Sequence, residues 1–250
     1  MTPPTTELVA PANGSGAMFD RIAARYDAMN RVLSFGLDRG WRRRTVRALA
    51  LGAAPRVLDL ATGTGDLAFD IARMHPDATV IGLDPSRQML AVAQTKLDRR
   101  GLAGRITLVE GDAQRLPYRD GEMDAATIAF GIRNVPDRLL ALREMARVVR
   151  PGGRVAILEL GEPRRGFMAK AALFHTRHVV PRLGALLSGA REYKYLQRSI
   201  AAFPPSAEFA ALMGQAGLHV IEVVPLTFGV CTLYVASPGA SPGAAQERAP

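Results

Sequence analysis

The fold of this chain is decided by residues 56–66, which read Arg56-Val57-Leu58-Asp59-Leu60-Ala61-Thr62-Gly63-Thr64-Gly65-Asp66. A short apolar run of β-forming residues ends in an acid and a glycine turn, after which a helical pattern begins. Strand, glycine turn and helix form the opening of a nucleotide-type βαβ unit. The glycines let the backbone turn tightly and approach a ligand, and the new helix N-terminus offers unpaired N–H groups.

The acid before the turn favours one ligand class over another. Gly63, Gly65 and Ala68 fit the spacing of the dinucleotide fingerprint. A pyrophosphate at this turn would be repelled by Asp59, whereas S-adenosylmethionine (SAM) carries an ammonium and a sulfonium. The sequence therefore favours SAM, with an ordinary tight turn as the alternative.

Composition indicates a single large globular domain. The chain has 250 residues, of which 48% are hydrophobic and 22% charged. The net charge of +9 comes almost entirely from scattered arginines, and only 6% of residues are aromatic, so we expect no nucleic-acid partner. A single cysteine, Cys231, indicates a buried thiol and a reducing cytoplasm.

The N-terminus has no secretory pattern and no stretch of eighteen apolar residues occurs. We therefore expect a cytoplasmic protein. Whether it also binds peripherally to the inner face of the membrane stays open at this point. Residues 1–16 and 237–250 are rich in Pro, Gly, Ser or Thr and are predicted to be disordered. Residues 17–236 are predicted to form one domain.

A regular alternation of strands and helices follows a helical segment at 17–51. That segment is expected to be a cap that closes over a ligand, or else a plain packing element, and Asp38 is expected to cap the helix that carries Trp41. Strands are predicted at 56–60, 79–83, 105–110, 124–130 and 154–160, and helices at 66–74, 86–98 and 136–149.

Two further apolar runs, at 219–225 and 229–236, are predicted to form a hairpin, so one of them runs antiparallel to the rest. The prediction is an α/β fold with a seven-stranded, mostly parallel sheet, one antiparallel strand and helices on both faces. This is the Rossmann-like layout of class I SAM methyltransferases. Residues 163–204 interrupt the alternation with apolar and basic residues, and they are predicted to form an inserted helical lid or an ordinary packing helix.

Acids also end the second and third predicted strands. Asp84 stands where an acid usually binds ribose hydroxyls, although it could instead cap the next helix. Asp112 can accept a hydrogen bond from the adenine amino group, with the Ala113 N–H donating to the ring; a turn residue is the alternative. Asp59 and the Gly63–Gly65 turn share this edge of the sheet, and together the four features favour SAM.

Several segments together resemble the C-methyltransferases of ubiquinone and menaquinone biosynthesis. They include Tyr26-Asp27-x-Met29-Asn30 with Ser34 and Trp41, then Phe130-Gly131-Ile132-Arg133-Asn134-Val135-Pro136-Asp137, then Arg147-Val148-Val149-Arg150-Pro151-Gly152-Gly153-Arg154 through Glu159, and Tyr193-Lys194-Tyr195-Leu196. The similarity extends over residues 18–236. The resemblance implies SAM contacts at Thr64, Asp84, Asp112, Ala113 and Ala129.

The resemblance also implies methyl transfer from SAM to a ring carbon of an isoprenoid quinol such as demethylmenaquinol. Ring carbon becomes nucleophilic when a neighbouring hydroxyl ionises, so the protein must align the partners and favour the phenolate. Arg133 is expected to stabilise the anion, or to form a structural ion pair at a strand end. Asn134 is expected to orient the acceptor, and Asp66 or a water to take the proton. Tyr26 and Tyr195 are expected to line the substrate cleft or to serve in packing.

Other functions stay open at this point. The four histidines form no ligand set, so no metal is expected. The alternatives are a methyltransferase for a polyketide or another phenolic metabolite, a non-catalytic scaffold, and an NAD-binding oxidoreductase, against which Asp59, Asp112 and the hairpin argue. The expected partners are the prenylated quinol, a membrane surface and, as an open alternative, a second copy of the chain in a homodimer.

Overall fold

The computed structural model describes residues 36–161 and 190–239, and before them the single residues Asp20, Ala23, Asp27, Arg31 and Ser34. For residues 190–194 it describes the backbone alone. Tyr26, the predicted disordered N-terminus, most of the predicted tail and the predicted lid up to residue 189 lie outside the described residues.

Strands and helices largely alternate along the first five strands that the structure describes, with no helix between the third and the fourth, as the sequence predicts. The elements are α1 (Asp38–Ala48), β1 (Arg56–Leu60), α2 (Asp66–Met74), β2 (Thr79–Asp84), α3 (Arg87–Arg100), β3 (Ile106–Glu110), β4 (Met123–Ala129), α4 (Arg138–Val148), β5 (Val149–Leu160), α5 (Ala190–Ala201), α6 (Ser206–Gln215), β6 (Leu218–Leu226) and β7 (Cys231–Pro238). Short 3-10 turns lie at Ile132–Asn134 and Thr227–Gly229.

The strands described form one seven-stranded sheet in the order β3-β2-β1-β4-β5-β7-β6. β1 to β5 are parallel, and β7 runs antiparallel to both of its neighbours. The predicted fold class is therefore confirmed. Because β6 points the same way as β5, the turn after β6 lies at the same edge as the carboxyl ends of the parallel strands, where ligands bind in such sheets.

Two hydrophobic layers cover the two faces of the sheet. Side chains alternate along a strand, so Leu58 of β1 packs in the layer that holds Met145 of α4 and Phe209 of α6. Val57 packs in the opposite layer with Phe69 of α2. With both faces buried, the parallel strands are apolar almost throughout, and the acid Asp59 in β1 stands out against them.

The ends of the elements mostly agree with the sequence prediction. β1 and α2 have the predicted bounds. β5 starts five residues early because Val149 already pairs with Met123, after which residues 150–153 leave the ladder and Arg154 pairs with Ala125. β7 runs to Pro238, two residues into the predicted disordered tail, because its end pairs with the start of β6.

Candidate active site

The glycine turn after β1 is open to a ligand at one glycine and closed at the other. Gly63 and Gly65 have φ values of 57° and 84°, which L-residues with a side chain rarely adopt. A Cβ at Gly65 would lie 2.8 Å from Cε2 of Phe69, so α2 packs against this backbone. A Cβ at Gly63 would meet only the Ala61 carbonyl oxygen, at 4.0 Å. A ligand therefore has room to approach the backbone at Gly63.

Asp84 joins the end of β2 to this turn. Its Oδ2 accepts from the Gly63 N–H at 2.8 Å, and its Oδ1 accepts from the Ser86 N–H at 2.8 Å. Burial raises the pKa of Asp84 to about 6, although the two N–H groups act in the opposite direction. The cap of α3 is Ser86, whose hydroxyl accepts from the Met89 N–H. The alternative role of Asp84 as a helix cap is therefore wrong, and its carboxylate lies beside the open turn.

Asp59 is buried beneath the turn, with 1% of its surface exposed. The hydroxyls of Thr62 and Thr127 donate to its two carboxylate oxygens at 2.6 and 2.7 Å. Burial raises its pKa to about 6. Asp59 thus joins the turn to β4 from inside the protein, and its predicted contact with the SAM ammonium stays a prediction.

The remaining predicted SAM contacts lie along the same edge. Asp112 is exposed after β3, and its carboxylate accepts from the backbone N–H and the side-chain amide of Gln114 at 2.9 to 3.0 Å. This is the turn geometry that the sequence left open as the alternative, and contact with adenine stays a prediction. Ala113 is buried behind Asp112, and Ala129 ends β4.

The ammonium group of Lys96 joins the glycine turn to two other parts of the chain. Lys96 of α3 donates to Asp27 Oδ2 at 2.7 Å, to Asp66 Oδ1 at 2.7 Å and to the Thr64 carbonyl at 2.9 Å. The Thr64 hydroxyl in turn donates to the other Asp27 oxygen at 2.5 Å. We call Asp27, Thr64, Asp66 and Lys96 the Lys96 cluster. It fixes a residue that precedes α1 onto the glycine turn.

Asp66 is held between two cations. Burial alone would raise its pKa, but Lys96 and then Arg42 lower it, and Arg42 Nη2 lies 3.3 Å from Asp66 Oδ2. A carboxylate with a lowered pKa and two cationic partners is a weaker base, which argues against proton transfer to Asp66, and that role stays a prediction. Its contacts join the glycine turn to Lys96 and Arg42. Arg42 also pairs with Asp38 at 2.8 Å. The prediction that Asp38 caps α1 is wrong, because Leu37 occupies the cap position.

Arg133 makes the strand-end ion pair that the sequence left open. Its Nη1 donates to Glu159 Oε1 at 2.7 Å and to the Phe130 carbonyl at 2.5 Å, and its backbone N–H donates to Glu159 Oε2 at 3.1 Å. Both partners of the pair are buried. Its Nε also donates to Ser199 of α5 at 3.3 Å. Arg133 thus ties the carboxyl ends of β4 and β5 to α5.

Asn134 and Tyr195, both singled out in the sequence, are in contact. The Tyr195 hydroxyl donates to Asn134 Oδ1 at 3.1 Å, so α5 reaches the carboxyl end of β4. The loops after β4 and β1 also meet, since a Cβ at Gly131 would lie 2.6 Å from the Ala61 Cβ. The structure therefore brings Asn134 and Tyr195 to the strand next to the glycine turn.

The sequence patterns assigned no role in the site to three residues that organise this edge, namely Lys96, Glu159 and Thr127. Lys96 is one of three lysines in an arginine-rich chain, and Glu159 is an acid at the end of an apolar strand, so both carried a usable signal. Thr127 carried none, because a threonine in a strand is common.

In the part of the chain that the structure describes, no group of three His, Cys, Asp or Glu side chains could hold a metal ion. No helix there is long and apolar enough to cross a membrane.

Comparison with known proteins identifies the family. A model of the ubiE/COQ5 methyltransferase family matches residues 10–237. The chain belongs to this family. It is 47% identical over 224 residues to the ubiquinone/menaquinone biosynthesis C-methyltransferase UbiE of Syntrophotalea carbinolica, covering 90% of this chain and 94% of that protein. It is 47% identical over 220 residues to the demethylmenaquinone methyltransferase of Thermus thermophilus, covering 87% and 98%.

Membership of the ubiE/COQ5 family confirms the resemblance seen in the sequence and makes this chain a SAM-dependent methyltransferase. A SAM-dependent methyltransferase from Aquifex aeolicus has a similar fold, with a TM-score of 0.58 at 20% identity over 78% of this chain and 88% of that one. The site fits this methyl donor, because Gly63 leaves its backbone open and the Asp84 carboxylate lies beside it.

Proposed function

We propose that this protein transfers a methyl group from SAM to a ring carbon of an isoprenoid quinol, with demethylmenaquinol as the first candidate. The relatives with 47% identity have names that include this activity. The structural observation that supports the proposal is the Tyr195–Asn134 hydrogen bond beside the glycine turn. It supports the proposal because the two polar side chains lie after β4, the strand next to the one that carries the glycine turn.

The glycine turn and its neighbours would hold the donor. Gly63 would offer its open backbone, Asp84 would bind the ribose hydroxyls, and Asp112 with Ala113 would bind the adenine. SAM, when bound, supplies a methyl group already activated by its sulfonium. We propose that no metal takes part, because the remaining work is alignment and stabilisation of the acceptor anion.

The residues at the end of β4 would handle the acceptor. Among the described residues, the side-chain amide nitrogen of Asn134 donates to the Phe130 carbonyl over a long 3.4 Å, and the second N–H of that amide would donate to the ring oxygen. Tyr195 fixes the other end of that amide. The ring hydroxyl would ionise with its proton passing to water, and the ring carbon would then attack the methyl group in line. The S–CH3 bond would break with its electron pair staying on sulfur, so that S-adenosylhomocysteine leaves. The hydrogen of the methylated ring carbon would be lost as a proton to water, which restores the aromatic ring. Arg133, paired with Glu159, keeps Asn134 and α5 in place.

The direct test is methyl transfer by the purified protein. It is incubated with SAM and either demethylmenaquinol in detergent or a simple phenol, and the products are analysed by mass spectrometry. We expect one added methyl group on the quinol ring. Asp84→Ala should lose SAM binding, whereas Asp98→Asn, a surface change on α3, should not.

Each rival predicts a different result. Methylation of the simple phenol alone would favour a secondary-metabolite enzyme. A thermal shift with NAD and none with SAM would favour an oxidoreductase. SAM binding without turnover on either acceptor would favour a scaffold.

We further propose that the protein works on the cytoplasmic side, in peripheral contact with the membrane that dissolves its acceptor. The net charge of +9 supports attraction to an anionic surface. Substrate contact by Tyr26, the homodimer and the absence of nucleic-acid binding stay predictions.

A further inference from the structure

The turn between β6 and β7 is strained in a way that packing does not explain. Thr227, Phe228 and Gly229 have consecutive φ values of 45°, 58° and 86°. Left-handed backbone is unfavourable for residues with a side chain, and most of all for bulky or β-branched ones. The Phe228 side chain is nevertheless 65% exposed. Burial of the ring therefore does not account for a phenylalanine at a position that suits glycine.

Neighbouring elements hold this turn in place. The Trp41 indole N–H of α1 donates to the Thr227 hydroxyl at 2.9 Å. The Gly161 N–H, just after β5, donates to the Val230 carbonyl at 3.0 Å. Strained backbone persists where its surroundings fix it, and such places cluster at functional sites. The exposed ring of Phe228 is thus presented by a fixed turn.

The turn lies on the rim of the active site. β6 runs parallel to β5, so its end is at the carboxyl edge of the sheet. The Trp41 ring lies 6.3 Å from that of Phe130, whose carbonyl accepts from Arg133. The turn is therefore connected through α1 to the loop that carries Asn134.

The order of the strands gives the rim a direction. The residues that would hold SAM follow β1, β2 and β3, and Asn134 follows β4. An acceptor ring at the end of β4 has the donor on one side. A side chain that leaves along this edge, away from the donor, passes β5 and β7 and then reaches β6. Phe228 follows the end of β6.

We propose that Phe228 is a specificity-determining residue that binds the apolar side chain of the acceptor as it leaves the cleft. The proposal rests on the proposed function. An exposed aromatic ring on a fixed turn loses little conformational freedom when an isoprenoid chain packs against it. Strain in the backbone is the cost of placing that ring at the rim.

The test uses Phe228→Gly, because glycine relieves the strain and removes the ring in one step. We expect KM to rise about tenfold for an acceptor with a long isoprenoid chain. The KM for the same ring without a chain, and the affinity for SAM, should not change. The thermal midpoint should rise, since glycine adopts this φ without strain. Phe228→Leu should bring the KM for the long-chain acceptor most of the way back to the value of the unmodified protein. Ile221→Ala, a change at an exposed apolar position on β6, should leave that KM unaltered.

Several outcomes would overturn the inference. An equal rise in KM for both acceptors would place the effect at the reaction centre. No rise in either, with a higher midpoint, would leave the ring without a role in acceptor binding. An unchanged KM in detergent with lost binding to phospholipid vesicles would make Phe228 a membrane contact instead. Absence of turnover by the unmodified protein on both acceptors would overturn the proposed function, and this inference with it.

Discussion

Burial in the fold disfavours the charged form of Asp59. Its pKa is raised from 3.8 to about 6 by burial. The protonated form therefore stabilises the fold, fully below the ordinary value, and this contribution is lost as pH rises through about 6. We expect the free energy of unfolding in urea to fall across that window, and Asp59→Asn to remove part of the fall. The pKa of Asp84 is also raised to about 6, so the Asp59→Asn variant should retain the part of the fall that Asp84 contributes. If the free energy of unfolding of Asp59→Asn depended on pH as steeply as that of the unmodified protein, this expectation would be contradicted.

The pair of Arg133 and Glu159 should matter for stability before it matters for chemistry. Arg133→Met leaves a buried carboxylate without its cation, and we expect a loss of about 3 kcal/mol. The double variant Arg133→Met/Glu159→Gln should recover most of that loss, as measured by chemical unfolding. Methyl transfer by the recovered double variant then isolates the chemical role of Arg133. Full activity in it would exclude Arg133 from stabilising the phenolate.

The positions of single residues in the fold were predicted better than their partners, and their roles in binding and catalysis stay predictions. The sequence placed Asp59 and Asp84 near the ends of their strands, because strand and helix periodicity indicates where each strand stops, and the structure has both there. It did not give the hydroxyl of Thr127, 68 residues from Asp59, as a partner. Such contacts depend on the register between strands, which a local pattern does not contain.

Helix α3 is joined to the glycine turn and to Asp27 by the side chain of Lys96. We expect Lys96→Met to release both Asp27 and the Thr64 carbonyl, and so to weaken SAM binding about tenfold, or about 1.4 kcal/mol. The maximum rate at saturating SAM should change much less, because the acceptor groups lie beyond β1. Titration calorimetry gives the affinity. Arg99→Met, an exposed change on the same helix, is the matched control, and equal effects of the two variants would contradict a specific role of Lys96.

The bounds of strands and helices were predictable where an apolar periodic segment ended at a glycine turn. β1 and α2 have their predicted bounds because a glycine turn separates them. β5 was predicted too short, because Pro151 and the glycines after it indicate a turn, while Val149 still pairs with β4 across that excursion. The turn residues therefore moved the predicted start of β5 to Arg154. The pairing of Val149 depends on β4, which the local sequence does not contain.

The whole molecule carries a net charge of +9, and this should govern its attraction to membranes. We expect the protein to sediment with vesicles that contain anionic lipid at low salt, and with neutral vesicles much less. Binding should fall steeply toward 1 M salt, where the screening length is about 3 Å. Binding that is indifferent to lipid charge would contradict an electrostatic attachment.

The position of β7 sets the order in which this edge of the sheet can close. β6 precedes β7 in the chain, yet β7 must insert between β5 and β6. Until β7 pairs, β6 lacks its neighbour among the described strands, and its unpaired backbone can recruit other chains. The yield of soluble protein on refolding from urea should therefore fall as the protein concentration rises.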